Sequence, residues 1–436
     1  DELTDKWSDY DYWGGRQPFT HIWHKLITEW IKRDRNRPSI ILWSLGNELQ
    51  IREGWAGFEG TNDWGITTYN IFNQLVKRWD NTRLTTVAMF PARAGAITRH
   101  DKEFNDYLVP PELACATEVA SFNYQSDKYD AYLKYKPDLI LFQSEAETSN
   151  LLQPYYNMDR KRTVGMAYWG SAEYWGESNK WPKKGWNYSF FDHTMRPYPQ
   201  AYLIKSAFMP EIPEVHIGVV DAAGAESVSW NDVIVGRMAL NECWNHTPGS
   251  RQSLFTFTNA HSVELLVNGQ SMGVQENDTT QANLRNMIYW KDVPYGNGGS
   301  VVAIARDKSG KEVARHHIET AGKAVALRIE AETPADWKAD GMDLQYINVT
   351  AIDKKGRPVW DYNKPLTLQM EGAAWLVALD NGDHYTDELF HGITSKRMYQ
   401  GRMQIILRST KTPSNVKLEI SSADLKEKLS LKTSLK

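Results

Sequence analysis

The sequence predicts two unlike halves: a parallel α/β architecture over residues 1–212, followed by two successive β-sandwiches over residues 213–321 and 322–436. Three observations carry this. Apolar residues recur at helical spacing in the first half, and short, almost wholly apolar runs alternate with those helical stretches. Beyond Pro213 the helical spacing disappears, and brief strand-like runs separated by Gly, Pro and Asp take over.

Taken in order, Phe19, Ile22, Trp23, Leu26, Ile27, Trp30 and Ile31 follow the i, i+3, i+4, i+7 rule of an amphipathic helix, which the Asp34 to Pro38 segment stops. Ser39-Ile40-Ile41-Leu42-Trp43-Ser44-Leu45 then reads as a buried strand of a parallel sheet. Tyr69, Phe72, Leu75, Val76 and Trp79 mark a second helix, and strands are expected at residues 84–89 and 118–123. A short helix at 129–135 leads to a buried run at 139–142, and another strand follows at 165–169. In the second half, HSVELLVNGQSMG (residues 261–273) sets Asn268-Gly269 between two strand-like runs as a hairpin turn. Runs at 327–332, 347–353, 403–409 and 416–422 mark the last sandwich.

Composition narrows the function. Fifty Lys and Arg against 54 Asp and Glu give a net charge of -4, which offers no electrostatic footprint for nucleic acid or an anionic membrane and favours a neutral or small substrate. No apolar run approaches the roughly 18 residues of a membrane span, so a soluble protein is expected. The first residues lack the charged and apolar regions of an export signal, so any such signal is expected to have been removed or to lie outside this sequence. Cys115 and Cys243 stand far apart and suggest neither a disulfide framework nor a zinc site. Eighteen Trp and 21 Tyr are unusually many, and most belong to cores, but flat aromatic faces also suit the C–H face of a sugar ring.

Two carboxylates stand at the ends of predicted strands. Parallel strands of a closed α/β barrel deliver their last residues to the face where that fold keeps its active site. Trp43-Ser44-Leu45-Gly46-Asn47-Glu48 ends the first strand and Phe142-Gln143-Ser144-Glu145 a later one. Hydrolysis of a glycoside with retention needs two carboxyl groups, one protonated to assist departure and one ionised to form the glycosyl-enzyme. Glu147 competes with Glu145, and Glu173 and Glu177 follow the next strand, but Glu145 follows its apolar run most closely.

RDRNRPSIILWSLGNE (residues 33–48) resembles the acid/base signature of glycoside hydrolase family 2, and KPDLILFQSE (residues 136–145) is similar to that family's nucleophile segment. AYWGSAEYWGE (residues 167–177) is similar to its eighth-strand aromatic segment, and FFDHTMRPYPQAY (residues 190–202) to its return into the last barrel helix. The resemblance implies the C-terminal half of a (β/α)8 TIM barrel followed by two immunoglobulin-like β-sandwich domains. It makes Glu48 the acid/base and Glu145 the nucleophile, with Asn47 bonding the sugar 2-hydroxyl. Asn123 and Tyr124 would sit beside the nucleophile, Tyr124 donating to Glu145, and Trp169 would floor the sugar pocket.

What the resemblance implies is a retaining exo-β-glycosidase of bacterial polysaccharide breakdown, a β-galactosidase first, acting outside the cell or in the periplasm. A β-glucuronidase is the alternative, although the uronate-reading Asn-x-Lys motif has no clean match in Ser178-Asn179-Lys180-Trp181-Pro182-Lys183-Lys184. A catalytically incomplete carbohydrate-binding or structural piece is the reading from another class. The family's first three barrel strands and preceding domains do not fit ahead of Ser39, so the chain is expected to be a fragment, completed by the rest of the same protein or by association with other copies. The two-carboxylate mechanism needs no cofactor, and no local cluster of metal ligands is evident. The expected partner is a carbohydrate substrate.

Overall fold

The computed structural model describes Trp7 and residues 17–51, 54–55, 65–90, 109–178, 181–221, 226–230 and 233–435. The tryptophans at 13 and 64 and the pair Asn179-Lys180 lie outside the described residues. The chain divides into two compact units, residues 1–169 with 227–236, and residues 170–226 with 237–436.

Among the described residues the first unit holds a five-stranded sheet of β1 (Leu42–Asn47), β2 (Leu84–Met89), β3 (Val119–Asn123), β4 (Leu141–Ala146) and β5 (Thr163–Tyr168). They pair in that order, every pair parallel. Parallel neighbours need crossovers, and α1 (Phe19–Asp34), α2 (Ile66–Trp79), α3 (Glu112–Ala116), α4 (Tyr129–Tyr135) and α5 (Gln153–Tyr156) alternate with the strands. This is the parallel α/β sheet that the alternating pattern predicts, and the partial TIM barrel that the resemblance implies. Its core joins Ile27 and Ile31 of α1, Phe72 and Val76 of α2, and Trp43, Val87, Phe122 and Leu141 of the strands.

The strands run further toward their C-terminal ends than the apolar runs suggest. Ile41 is 84% exposed and precedes β1, whereas the polar Gln143, Ser144 and Glu145 belong to β4. The start of β1 is instead clamped by charge. Arg83 Nε donates to the Ile40 carbonyl at 2.6 Å and its Nη1 meets Asp80 Oδ2 at 2.6 Å, while Trp43 Nε1 donates to the same carboxylate at 2.9 Å. Burial opposes ionisation of Asp80, but bonds from Thr82, Trp43 and Arg83 outweigh it and hold the carboxyl well below the usual range.

In the second unit, α6 (Pro199–Phe208) begins with proline at its first turn, where a missing N–H costs nothing, and packs on the first sandwich. That sandwich faces the sheet built on Val215–Val220 and Arg251–Thr258 with the one built on Ser262–Val267 and Ser300–Arg306. Its hairpin at Asn268-Gly269 joins Val267 to Gln270 with φ of 51° and 80°, the left-handed pair that a two-residue turn of this type requires. The last sandwich likewise stacks two four-stranded antiparallel sheets, one containing Leu344–Asp353 and Arg402–Ser409, the other Pro365–Glu371 and Asn415–Ser422. Each sandwich buries its own apolar cluster. Among the described residues no helix is long and apolar enough to cross a membrane.

Candidate active site

Glu48 follows β1 directly, and Glu145 is the penultimate residue of β4. Both are nearly buried, at 5% and 8% exposure. Glu48 leaves the strand with φ 43°, a left-handed turn that costs a non-glycine residue energy and persists only where the surroundings hold it. Its backbone N–H donates to Ala88 O at 2.7 Å across to β2. Gly46 admits a neighbour at close range: a Cβ there would lie 2.6 Å from Trp7 Nε1, which donates to Leu45 O at 2.7 Å. The small residue lets the indole lock the strand end one step before Asn47-Glu48.

The end of β3 links the two carboxylates. Asn123, fully buried, donates from Nδ2 to Asn47 Oδ1 at 3.0 Å and to Glu48 Oε1 at 3.2 Å. Its neighbour Tyr124 turns out of the strand at φ 58° and donates from its hydroxyl to Glu145 Oε2 at 2.5 Å. The backbone fixes this register, because Asn123 lies opposite Glu145 and the Tyr124 N–H donates to Glu145 O at 2.8 Å. A phenol donating to an ionised carboxylate is a charge-assisted bond that favours the charged form. Phe90 meets the Tyr124 ring edge-on at 5.6 Å and fixes its plane.

One positioning residue was not singled out from sequence. Ser144 Oγ donates to Asn123 Oδ1 at 2.7 Å, which orients the amide so that its NH2 faces Asn47 and Glu48. Ser144 stands next to Glu145 in the Ser-Glu segment, and that adjacency was the available signal. Trp169 directly follows β5, its N–H donating to Ala146 O at 2.9 Å beside the end of β4.

The rival carboxylates have other work. Glu147 accepts from Asn150 Nδ2 at 2.9 Å and Ser149 Oγ at 3.3 Å in the turn after β4, and burial pushes its carboxyl up despite these bonds. Glu177 accepts from the Tyr174 hydroxyl at 2.5 Å, and Glu173 is buried against two histidines. Lys183, from the segment compared with the uronate motif, is 2% exposed and donates to Asn187 Oδ1 at 3.0 Å and Tyr188 Oη at 3.2 Å.

Residues 8–167 match the family described as Glycosyl hydrolases family 2, TIM barrel domain, and residues 327–429 match Glycoside hydrolase family 2 C-terminal domain 5. Residues 249–314 match a Domain of unknown function (DUF4982). The chain is 24% identical over 482 aligned positions to the β-galactosidase BoGH2A of Bacteroides ovatus, covering 98% of this chain and 53% of that protein. A β-glucuronidase of Formosa agariphila is 26% identical over 168 residues, 38% of this chain and 14% of that protein. Among solved structures, a glycosyl hydrolase family 2 member from Bacteroides cellulosilyticus DSM 14838 superposes with a TM-score of 0.78 at 25% identity, covering 98% of this chain and 52% of that one. The chain thus spans about half the length of the relatives it matches from end to end. With the parallel sheet, its strand-end carboxylates and both family matches in agreement, the chain belongs to glycoside hydrolase family 2 and carries a portion of its TIM barrel domain together with C-terminal domains.

Proposed function

We propose that this chain supplies the catalytic carboxylates of a retaining exo-β-glycosidase, with Glu48 as acid/base and Glu145 as nucleophile, and that its substrates are β-galactosides. The observation that carries this reading is the double contact made by consecutive residues, Asn123 to Glu48 and Tyr124 to Glu145. The two carboxylates are thereby tied to one strand end yet held in different environments. Glu48 accepts from the neutral Asn123 amide. Glu145, bonded by a phenol, suits a group that must stay ionised.

In the first step Glu145 attacks the anomeric carbon while Glu48 gives its proton to the departing glycosidic oxygen, leaving a glycosyl ester on Glu145. In the second, Glu48, now ionised, takes a proton from water, which attacks the same carbon and frees Glu145. Asn47, fixed by Asn123, would bond the sugar 2-hydroxyl, a contact that strengthens in the transition state. Trp169 would lie against the apolar face of the ring. No cofactor enters these steps.

The galactoside reading draws support from the B. ovatus relative, a β-galactosidase aligned along 98% of the chain. The β-glucuronidase reading draws support from F. agariphila relatives that match over shorter stretches, 26% identical over 168 residues and 51% over 51, whereas the buried ties of Lys183 to Asn187 and Tyr188 speak against a uronate clamp there. Assay of the intact protein on 4-nitrophenyl β-galactoside and β-glucuronide separates them. Turnover of the galactoside at least tenfold above the glucuronide is expected, and the reverse ranking would transfer the assignment. Cleavage of neither would return the chain to a binding or structural role.

A further inference from the structure

The second unit gathers Glu173, His193 and His384 from three distant parts of the sequence into one buried cluster, with all three offered ligand atoms within 4.8 Å of one another. His193 and His384 side chains are 4% and 3% exposed and that of Glu173 is 1% exposed. From this geometry we propose a divalent metal site, zinc being the ion of best fit, ligated by Glu173 Oε2, His193 Nδ1 and His384 Nε2.

The separations match those of ligands on one ion. Glu173 Oε2 lies 3.5 Å from His193 Nδ1 and 3.1 Å from His384 Nε2. Zinc bonds of about 2.0–2.1 Å at a tetrahedral angle put neighbouring ligand atoms about 3.3–3.4 Å apart. Despite these short approaches, neither His193 Nδ1 nor His384 Nε2 makes an aligned hydrogen bond, although both are buried. A ring nitrogen that closes on an oxygen without pointing at it is aimed at a third point, and the two imidazoles stand at 85° with centroids 4.8 Å apart, so their in-plane lone pairs can converge. Two of the three ligands are also oriented from behind, as metal sites orient them. His193 Nε2 is bound to Asp380 Oδ1 at 2.8 Å and Glu173 Oε1 accepts from the Tyr198 hydroxyl at 2.8 Å, which orients both ligands through their other ends. The carboxylates of Glu173 and Asp380 together balance a dication. Trp175, with its centroid 4.8 Å from His193 and 5.1 Å from His384, and Phe390, 5.0 Å from Trp175, give the cluster an apolar wall. A cavity of about 70 Å³ borders Glu173 and His384 and leaves space for a water molecule as fourth ligand.

A second His-Glu-His group in the same unit also holds a buried ring nitrogen, His216 Nε2, close to a carboxylate without an aligned bond, but it lacks the crossed rings. His216 and His316 stack at 27° with centroids 4.0 Å apart, and His316 Nδ1 already accepts from the Ile217 N–H at 3.0 Å. That group is a ring stack beside a carboxylate, and it serves as the internal control. A bound ion at the first cluster would join the segment carrying Glu173 and His193 to the last sandwich, which carries Asp380 and His384. It would act as a staple independent of the glycosidase assignment.

The test strips the intact protein with a chelator, returns Zn²⁺, and measures bound metal by elemental analysis and melting temperature by circular dichroism. One zinc per chain bound more tightly than micromolar and a melting temperature raised by several degrees are expected, and Co²⁺ in place of zinc should give the visible absorption of a four- or five-coordinate ion. His384→Gln should abolish both effects, while His316→Gln should leave them intact. Asp380→Asn keeps all three ligands and should weaken zinc about 10–100-fold, so it decides the matter even where His384→Gln does not fold. A folded chain that takes up no stoichiometric zinc, or one whose binding survives both His384→Gln and Asp380→Asn, overturns the site.

Discussion

Tyr124 is the residue on which the difference between the two carboxylates turns. Its hydroxyl meets Glu145 at 2.5 Å and its left-handed backbone is held by the bond to Glu145 O. A hydrogen bond to a charged group contributes about 1.5–3 kcal/mol, so Tyr124→Phe should lower kcat/KM about 10–100-fold in the intact protein. The fold should be unchanged, because the ring and its edge contact with Phe90 remain. Steady-state kinetics on an aryl β-galactoside check this, and an unchanged rate would detach the phenol from catalysis. At this scale the positions of Asn47-Glu48 and Asn123-Tyr124 at strand ends were legible in the sequence, whereas the roles proposed for them come from the family resemblance. Ser144 escaped notice, since nothing in a serine's identity reveals that it orients an amide on another strand.

At the scale of elements, periodicity located the helices well and the strands less sharply. The helix expected at 129–135 is α4 itself, whereas β1 and β4 extend past their apolar runs into polar residues. The reason is physical: the C-terminal end of a barrel strand faces the site, so its side chains are chosen for chemistry and the apolar signal stops early. In the first sandwich, the stack of Tyr202, His216 and His316 beside Glu242 was equally hidden, because its members come from a helix and separate strands. Burial opposes ionisation of Glu242, but the close approach of His216 outweighs it and holds the carboxyl at about 2. Burial, seconded by His216, pushes His316 down to about 4 from an ordinary 6.5. The unfolded chain therefore takes up a proton at His316 before the folded one does, and stability falls as pH drops from about 6.5 to about 4. The Glu242 contribution is present above its ordinary value of 4.5 and is lost as pH falls from there through about 2. Thermal melts between neutral pH and pH 4 should show the first loss, and His316→Gln should flatten it by on the order of a few kcal/mol at most. Parallel curves for the two proteins would contradict this assignment.

For the whole molecule, the halves differ in how much the sequence revealed. The change from α/β to all-β texture after Pro213 and the Asn268-Gly269 hairpin were legible because each rests on local pattern. The grouping of Glu173 and His193 with the last sandwich was not, since it depends on how distant segments pack. The central claim is narrower than the fold: of the acidic residues near the strand ends, Glu145 forms the covalent bond to the sugar. Removing a nucleophile empties a site that a small anion can enter from the face it occupied, and attack by azide there gives a product of inverted configuration. The direct measurement is azide rescue in the intact protein, using an activated aryl β-galactoside. Glu145→Gly should lose essentially all turnover and regain cleavage with azide, yielding the α-galactosyl azide, while Glu147→Gly should retain activity and form none. Formation of the α-azide by Glu147→Gly, with none from Glu145→Gly, would contradict the account.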